Sequence, residues 1–142
     1  MLNDSNYFIW NKGDVYFLDK DKHFKTSEFV CHCTFSDCKE QRISKKIISK
    51  LVELRATINE PLTITSAFRC HKYQKQLADE GVNTVVASKS THELGDAVDV
   101  KPTRMRIPDF YCFAKMYFKA IGTAKTFLHL DLRDDKERRW DY

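Results

Sequence analysis

The chain predicts an α+β domain whose sheet is mainly antiparallel and flanked by helices. Three observations carry this. Two segments repeat apolar residues at the three- and four-residue spacing of a buried helix face, and several short runs are β-branched or alternate strictly. The two kinds of segment then follow one another without a regular βαβ rhythm, which argues against a parallel sheet.

Taken in order, YFIW and VYFL flank Asn11-Lys12-Gly13-Asp14 and predict an aromatic hairpin. In HFKTSEFVCHC, Thr26 or Ser27 is expected to cap a short turn. From Gln41 to about Ile58, the residues Ile43, Ile47, Ile48, Leu51, Leu54 and Ile58 predict one long helix, ended by Asn59-Glu60-Pro61. LTITSAF (62–68) reads as a buried strand, and 70–81 as a short helix closed by Gly81. Residues 82–91 are expected to form a loop. LGDAVDVKP then gives a strand with Ala97, Asp99 and Lys101 on one face. Pro108 opens a second long helix whose stripe of Phe110, Phe113, Ala114, Tyr117 and Phe118 belongs to the core. In the last strand, KTFLHLDLR, Phe127, His129, Asp131 and Arg133 point one way and Leu128, Leu130 and Leu132 the other.

At 142 residues the chain is expected to be one domain spanning 1–142, long enough to bury a core. Hydrophobic residues at 42% and charged residues at 31% are ordinary for a globular chain. The net charge of +4 is small and dispersed, with no Lys/Arg stripe, so nucleic acid is not an expected partner. That mild basicity suits an anionic polymer without requiring one. No segment approaches the roughly 18 apolar residues of a membrane span. Met1 is followed by polar Asn3, Asp4, Ser5 and Asn6, which predicts a product made in the cytoplasm without a signal peptide. A monomer is expected.

Cys31, Cys33 and Cys38 lie close together in CHCTFSDC, with Cys70 and Cys112 further on. One reading is a structural zinc held by the first three with His32 or Cys70. Reduced thiols, or one disulfide across the loop, are the alternatives, and the C-x-C-x4-C spacing lacks the paired C-x2-C knuckles of common zinc modules. A thiol-based enzyme built on Cys31 or Cys70 has little support, because no Cys/His pairing stands out.

The chemistry-bearing residues are His92, Asp99 and His129. Two imidazoles and a carboxylate match the three-protein-ligand pattern of catalytic zinc, which keeps its fourth position open for water. Gly95 lets the backbone turn between His92 and Asp99, and Ala97 leaves room beside Asp99. FLHLDLR places His129, Asp131 and Arg133 on one face of an otherwise leucine-rich strand, and polar groups so placed need partners. The plainer reading is a hydrogen-bonded His129–Asp131 pair in a polar strand.

These motifs resemble those of the M15 peptidases, zinc D-Ala-D-Ala carboxypeptidases and L,D- or D,D-endopeptidases of bacterial and phage cell walls. The pattern S-x-H-x-x-G-x-A-x-D is met by Ser90, His92, Gly95, Ala97 and Asp99; S-[GA]-[YF]-R by Ser66, Ala67, Phe68 and Arg69; and the late H-x-D by His129 and Asp131. RRW follows, SEFVCHC precedes the first long helix, and the resemblance runs from about residue 24 to 140. It implies a Hedgehog/DD-peptidase-like fold and Zn2+ on His92, Asp99 and His129. It also implies a peptidoglycan peptide as substrate, with Arg69 and Ser90 in substrate binding. Arg69 would hold a substrate carboxylate or the developing oxyanion. Many members place an acid three residues before the last histidine, where this chain has Thr126. Asp131 is the local substitute as catalytic base, with Glu93 a rival; equally, Asp131 could orient the His129 ring. A phage endolysin or virion-associated lysin, released to the cell wall at lysis, is the biological setting the resemblance suggests. The competing expectation is a zinc-binding virion structural or binding protein without catalysis, as in the Hedgehog signalling domain.

Overall fold

Strand pairing and one long helix organise the computed structural model, which describes residues 6–81 and 90–142. The fold is α+β. Strand β1 (Tyr7–Asn11) pairs antiparallel with β2 (Glu40–Ser44), and α1 (Lys45–Ile58) follows directly. After β3 (Leu62–Ser66) come α2 (His71–Asp79), the single-turn α3 (Thr91–Leu94) and β4 (Ala97–Pro102). Helix α4 (Ile107–Ala114) leads to β5 (Ala120–Thr123), β6 (Leu128–Asp131) and β7 (Arg138–Asp141). The larger sheet has the order β3-β4-β6-β5-β7, antiparallel except for the parallel β5–β7 edge.

Several boundaries differ from the sequence expectation. The long helix begins at Lys45, because Ser44 adopts extended φ/ψ and its Oγ accepts from the N–H groups of Lys46 and Ile47 at 3.1 and 3.4 Å. Ahead of it, Gln41 and Ile43 are buried as alternating inward residues of β2, so a period of two wins over the helical period there. Asn59, in the left-handed region at φ +54°, closes α1 by donating to the Arg55 carbonyl at 2.9 Å.

The expected aromatic hairpin does not form. Its turn exists, with Asp14 N–H donating to the Asn11 carbonyl at 2.9 Å, but β1 takes β2 as its partner. Val15, Tyr16 and Phe17 remain exposed, and Phe17 bridges to Lys25 instead. The turn at 26–28 forms as one 3-10 turn, with Thr26 buried and donating to the Asp14 carbonyl rather than capping. Helix α4 is shorter than expected, although Phe110, Ala114 and Phe118 are buried as predicted. Strands β5 and β7 have no counterpart in the sequence reading. Each is four residues long, one containing a glycine and the other rich in charge, so neither produces a strand pattern.

The two faces of the larger sheet divide the labour. Val98, Val100, Ile121, Leu128 and Leu130 are fully buried on one face, in a core with Ile47, Leu51, Leu54 and Phe110. Each such side chain contributes roughly 1.5–3 kcal/mol by leaving water. The opposite face carries Asp99 and Ala97, His129 and Asp131, and the small residues Ala120 and Gly122.

Glu60 fastens the loop after β4. Its buried carboxylate accepts from the backbone N–H groups of Thr103, Arg104 and Met105 at 3.0, 3.0 and 3.1 Å. Those bonds, from Arg104 and Met105 foremost, hold its pKa below the ordinary glutamate value. A depressed folded-state pKa gives stability that is present above the unfolded value of about 4.3 and is lost as the pH falls through the folded value. Glu60→Gln should therefore lower the urea midpoint at pH 7 and show a shallower acid limb than wild type in denaturation at stepped pH. Parallel acid limbs for the two proteins would remove Glu60 from this role.

Candidate metal centre

The β4–β6 register puts Asp99 directly opposite His129, so both side chains leave the same face of the sheet. His129 Nδ1 lies 3.0 Å from Asp99 Oδ1. His92 comes from a different element. It sits on α3, a single helical turn just ahead of β4. Ser90 caps that turn, its Oγ accepting from Glu93 N–H at 3.3 Å, and Gly95 at φ +77° ends it. A Cβ at Gly95 would meet the Arg42 backbone oxygen and Cγ at 3.1 Å, so the turn is packed against β2 where only glycine fits easily. His92 Nε2 thereby lies 3.5 Å from the same Asp99 Oδ1.

Hydrogen bonding selects which ring nitrogen each histidine offers. His92 Nδ1 donates to the Ala67 carbonyl at 2.6 Å, since a carbonyl only accepts, which leaves the Nε2 lone pair facing Asp99. His129 Nε2 donates to Asp131 Oδ2 at 2.7 Å, leaving Nδ1 on the Asp99 side. Asp131 also accepts from the Arg133 backbone N–H at 2.9 Å, from Nε at 3.1 Å and from Nη2 at 2.7 Å. Both of its oxygens are taken.

Arg69 divides the Asp99 carboxylate between two duties. Its Nη2 donates to Asp99 Oδ2 at 3.3 Å, while Oδ1 faces the two imidazoles. Ser66 Oγ and Gln74 Oε1 fix the guanidinium at 3.0 and 3.2 Å. Burial alone would push the Asp99 carboxyl up, but where the His129 and His92 rings are protonated their hydrogen bonds and charge outweigh it and hold it well below the usual range. Burial likewise pushes His92 down. In His129 the bonds to Asp131 and Asp99 overcome burial and raise it.

One ligand atom each from His92, Asp99 and His129 fall within 4.8 Å of one another, and all three residues are buried. Bonds of 2.0–2.1 Å in a tetrahedron separate ligand atoms by about 3.3 Å, which the observed 3.0 and 3.5 Å bracket. Two nitrogens and an oxygen, their tautomers set from behind, form a donor set that fits a divalent metal.

The structure thus brings His92, Asp99, His129, Arg69 and Asp131 into one network. It places Ser90 as the cap of the helix that carries His92, Thr126 on an exposed turn ahead of β6, and Glu93 beside His71 at 3.1 Å. Several contributors were not singled out from sequence. The Ala67 carbonyl and Gln74 act through geometry that no motif records. Trp140 on β7 lies over Gly122, where a Cβ would stand 2.5 Å from its Nε1, and its ring sits 5.5 Å from that of His129. A glycine between Ile121 and Thr123 in a strand is the signal that could have announced this close approach.

A family model described as Peptidase M15 matches residues 22–131, a stretch holding all five members of the network. The chain belongs to the Peptidase M15 family. M15 peptidases are metallopeptidases, and His92, Asp99 and His129, whose ligand atoms lie within 4.8 Å of one another, are a candidate metal-binding group. Searches of curated proteins and of solved structures returned no match.

If Asp131 holds the His129 ring for metal binding, Asp131→Asn should weaken metal affinity about 10–100-fold. Competition against a chromophoric chelator measures this. An unchanged dissociation constant in a folded variant would show that His129 needs no such support.

Proposed function

We propose that this M15 chain is a zinc peptidase that hydrolyses amide bonds in peptidoglycan stem peptides, as a D,D-carboxypeptidase or an L,D- or D,D-endopeptidase. The observation that carries the reading is the convergence of His92 Nε2, Asp99 Oδ1 and His129 Nδ1 beside the Arg69 guanidinium in a Peptidase M15 chain. A bound zinc ion supplies Lewis acidity toward the scissile carbonyl and brings the pKa of water toward 7. Arg69, pinned by Ser66 and Gln74, supplies fixed positive charge for a substrate carboxylate or for the charge that develops on the attacked carbonyl. Asp131, with both oxygens engaged by His129 and Arg133, is a positioning residue for His129 in preference to a base. Trp140 and Arg133, stacked at 4.7 Å, wall the site on the β7 side. The mildly basic chain suits the anionic wall polymer, and action on the cell wall after phage lysis or from a virion is the setting we propose.

Two observations favour a second reading, a zinc-binding virion or wall-binding protein that does not cleave. Thr126 stands exposed where many members carry an acid, and Asp131 is already committed to two partners.

Digestion of muropeptides followed by mass spectrometry separates the two. Zinc-loaded wild type should release fragments that identify the bond, chelator should stop the release, and Arg69→Ala shown to retain metal should lose about 10²–10³ in kcat/KM. Intact muropeptides after incubation with folded, zinc-loaded wild type, together with its retention on insoluble peptidoglycan, would establish the binding reading instead.

A further inference from the structure

A second group of metal-ligating side chains lies outside the network around Asp99. The sulfur atoms of Cys31, Cys33, Cys38 and Cys70 all fall within 4.8 Å of one another. Three of them come from the segment between the 3-10 turn and β2, and the fourth from the residue that precedes α2. Cys31 Sγ is 3.7 Å from Cys70 Sγ, and Cys70 Sγ is 3.8 Å from Cys33 Sγ. Four thiolates at about 2.3 Å from a zinc ion form a tetrahedron whose edges are about 3.8 Å. A disulfide would bring two sulfurs to about 2.05 Å, and all four cysteines are free thiols.

N–H and ammonium donors face three of the four sulfurs, while burial pushes the Cys31 and Cys70 thiols up. Cys70 N–H donates to Cys31 Sγ at 3.3 Å, Gln41 Nε2 to Cys38 Sγ at 3.4 Å, and Lys12 Nζ approaches Cys33 Sγ at 3.7 Å and the Cys33 carbonyl at 3.2 Å. Gln41 is fully buried, and its Oε1 accepts from Cys31 N–H at 2.7 Å, so one amide ties two of the cysteines together. Four thiolates around a divalent ion leave a net charge of −2, and N–H donors and an ammonium are the groups that stabilise such a charge. Cys70 is also the N-cap of α2, where the helix dipole favours negative charge. Nothing is left open for substrate: the fourth position is a cysteine, the mark of a structural rather than a catalytic zinc.

We propose that Cys31, Cys33, Cys38 and Cys70 hold a structural zinc ion that clamps the 31–38 segment to the start of α2. The clamp has a neighbour of consequence. Cys70 follows Arg69, whose guanidinium meets Asp99, and Ala67, whose carbonyl orients His92, so this ion anchors the strand end on which the Asp99 network depends. The inference does not rest on the peptidase reading.

The test uses the full chain, reduced and zinc-loaded, with His92→Ala and His129→Ala combined so that the Asp99 network cannot contribute its imidazoles. Elemental analysis should find one zinc per chain in that variant, and none when Cys33→Ser or Cys38→Ser is added. Cobalt substituted for zinc should give an intense thiolate-to-cobalt charge-transfer band in the near ultraviolet. In wild type, which needs no substitution, a chromogenic thiol reagent should find only Cys112 reactive while metal is bound, and all five cysteines after chelation. A folded, reduced double-histidine variant without zinc, cobalt binding without the thiolate band, or a disulfide between any of these four cysteines in the native protein would each overturn the proposal.

Discussion

The antiparallel pairing of β4 with β6 is the constraint on which the site depends. It sets Asp99 opposite His129, and it does so because Val98, Val100, Leu128 and Leu130 must all face the core on the other side of the same strands. A one-residue slip of either strand would send these apolar side chains to the opposite face and the candidate ligands Asp99 and His129 into the core. The hydrophobic effect therefore fixes the register, and the register places the candidate ligands. The Ala67 carbonyl behind His92 and the Asp131 carboxylate behind His129 add the last detail by selecting the nitrogen that each ring presents.

A second dependence runs through residues 66–71, where β3 gives way to α2. Ser66 accepts from Arg69, Arg69 reaches Asp99, the Ala67 carbonyl reaches His92, and Cys70 reaches the sulfur cluster. The strand carries a register shift between Ile64 and Ser66, and the Thr65 hydroxyl donates to the Asp99 carbonyl at 3.2 Å. An irregular strand end of this kind redirects side chains that a regular pleat would alternate across the sheet. It lets adjacent residues serve two centres at once.

Much of this was legible in the chain. Leucines alternating with His129 and Asp131 announced a two-faced strand, and His92, Gly95, Ala97 and Asp99 announced two candidate ligands on either side of a turn. Legibility failed where the local pattern was ambiguous or short. Gln41 and Ile43 fit a helix and a strand equally well until β1 claims them as a partner. The aromatic residues at 15–17 have the composition of a strand, yet β1 pairs with β2 and Val15, Tyr16 and Phe17 stay exposed. The loop expected over 82–91 falls largely on 82–89, outside the described residues. Among the cysteines, spacing alone left zinc, disulfide and free thiols open and gave zinc little support, because Cys70 lies far away in sequence and only folding brings it to the other three.

By itself, then, the sequence determined the α+β class, the buried faces of its main helix and strands, and the identity of the residues able to hold a metal. These follow from side-chain periodicity and donor chemistry, which are local. The tertiary structure decided which nitrogen each histidine offers, that Asp131 backs His129, that Arg69 shares Asp99 with two imidazoles, and that Trp140 closes over Gly122. Each of those depends on atoms brought together from different strands and helices, and distance between such atoms is set by packing and register, which no single segment encodes.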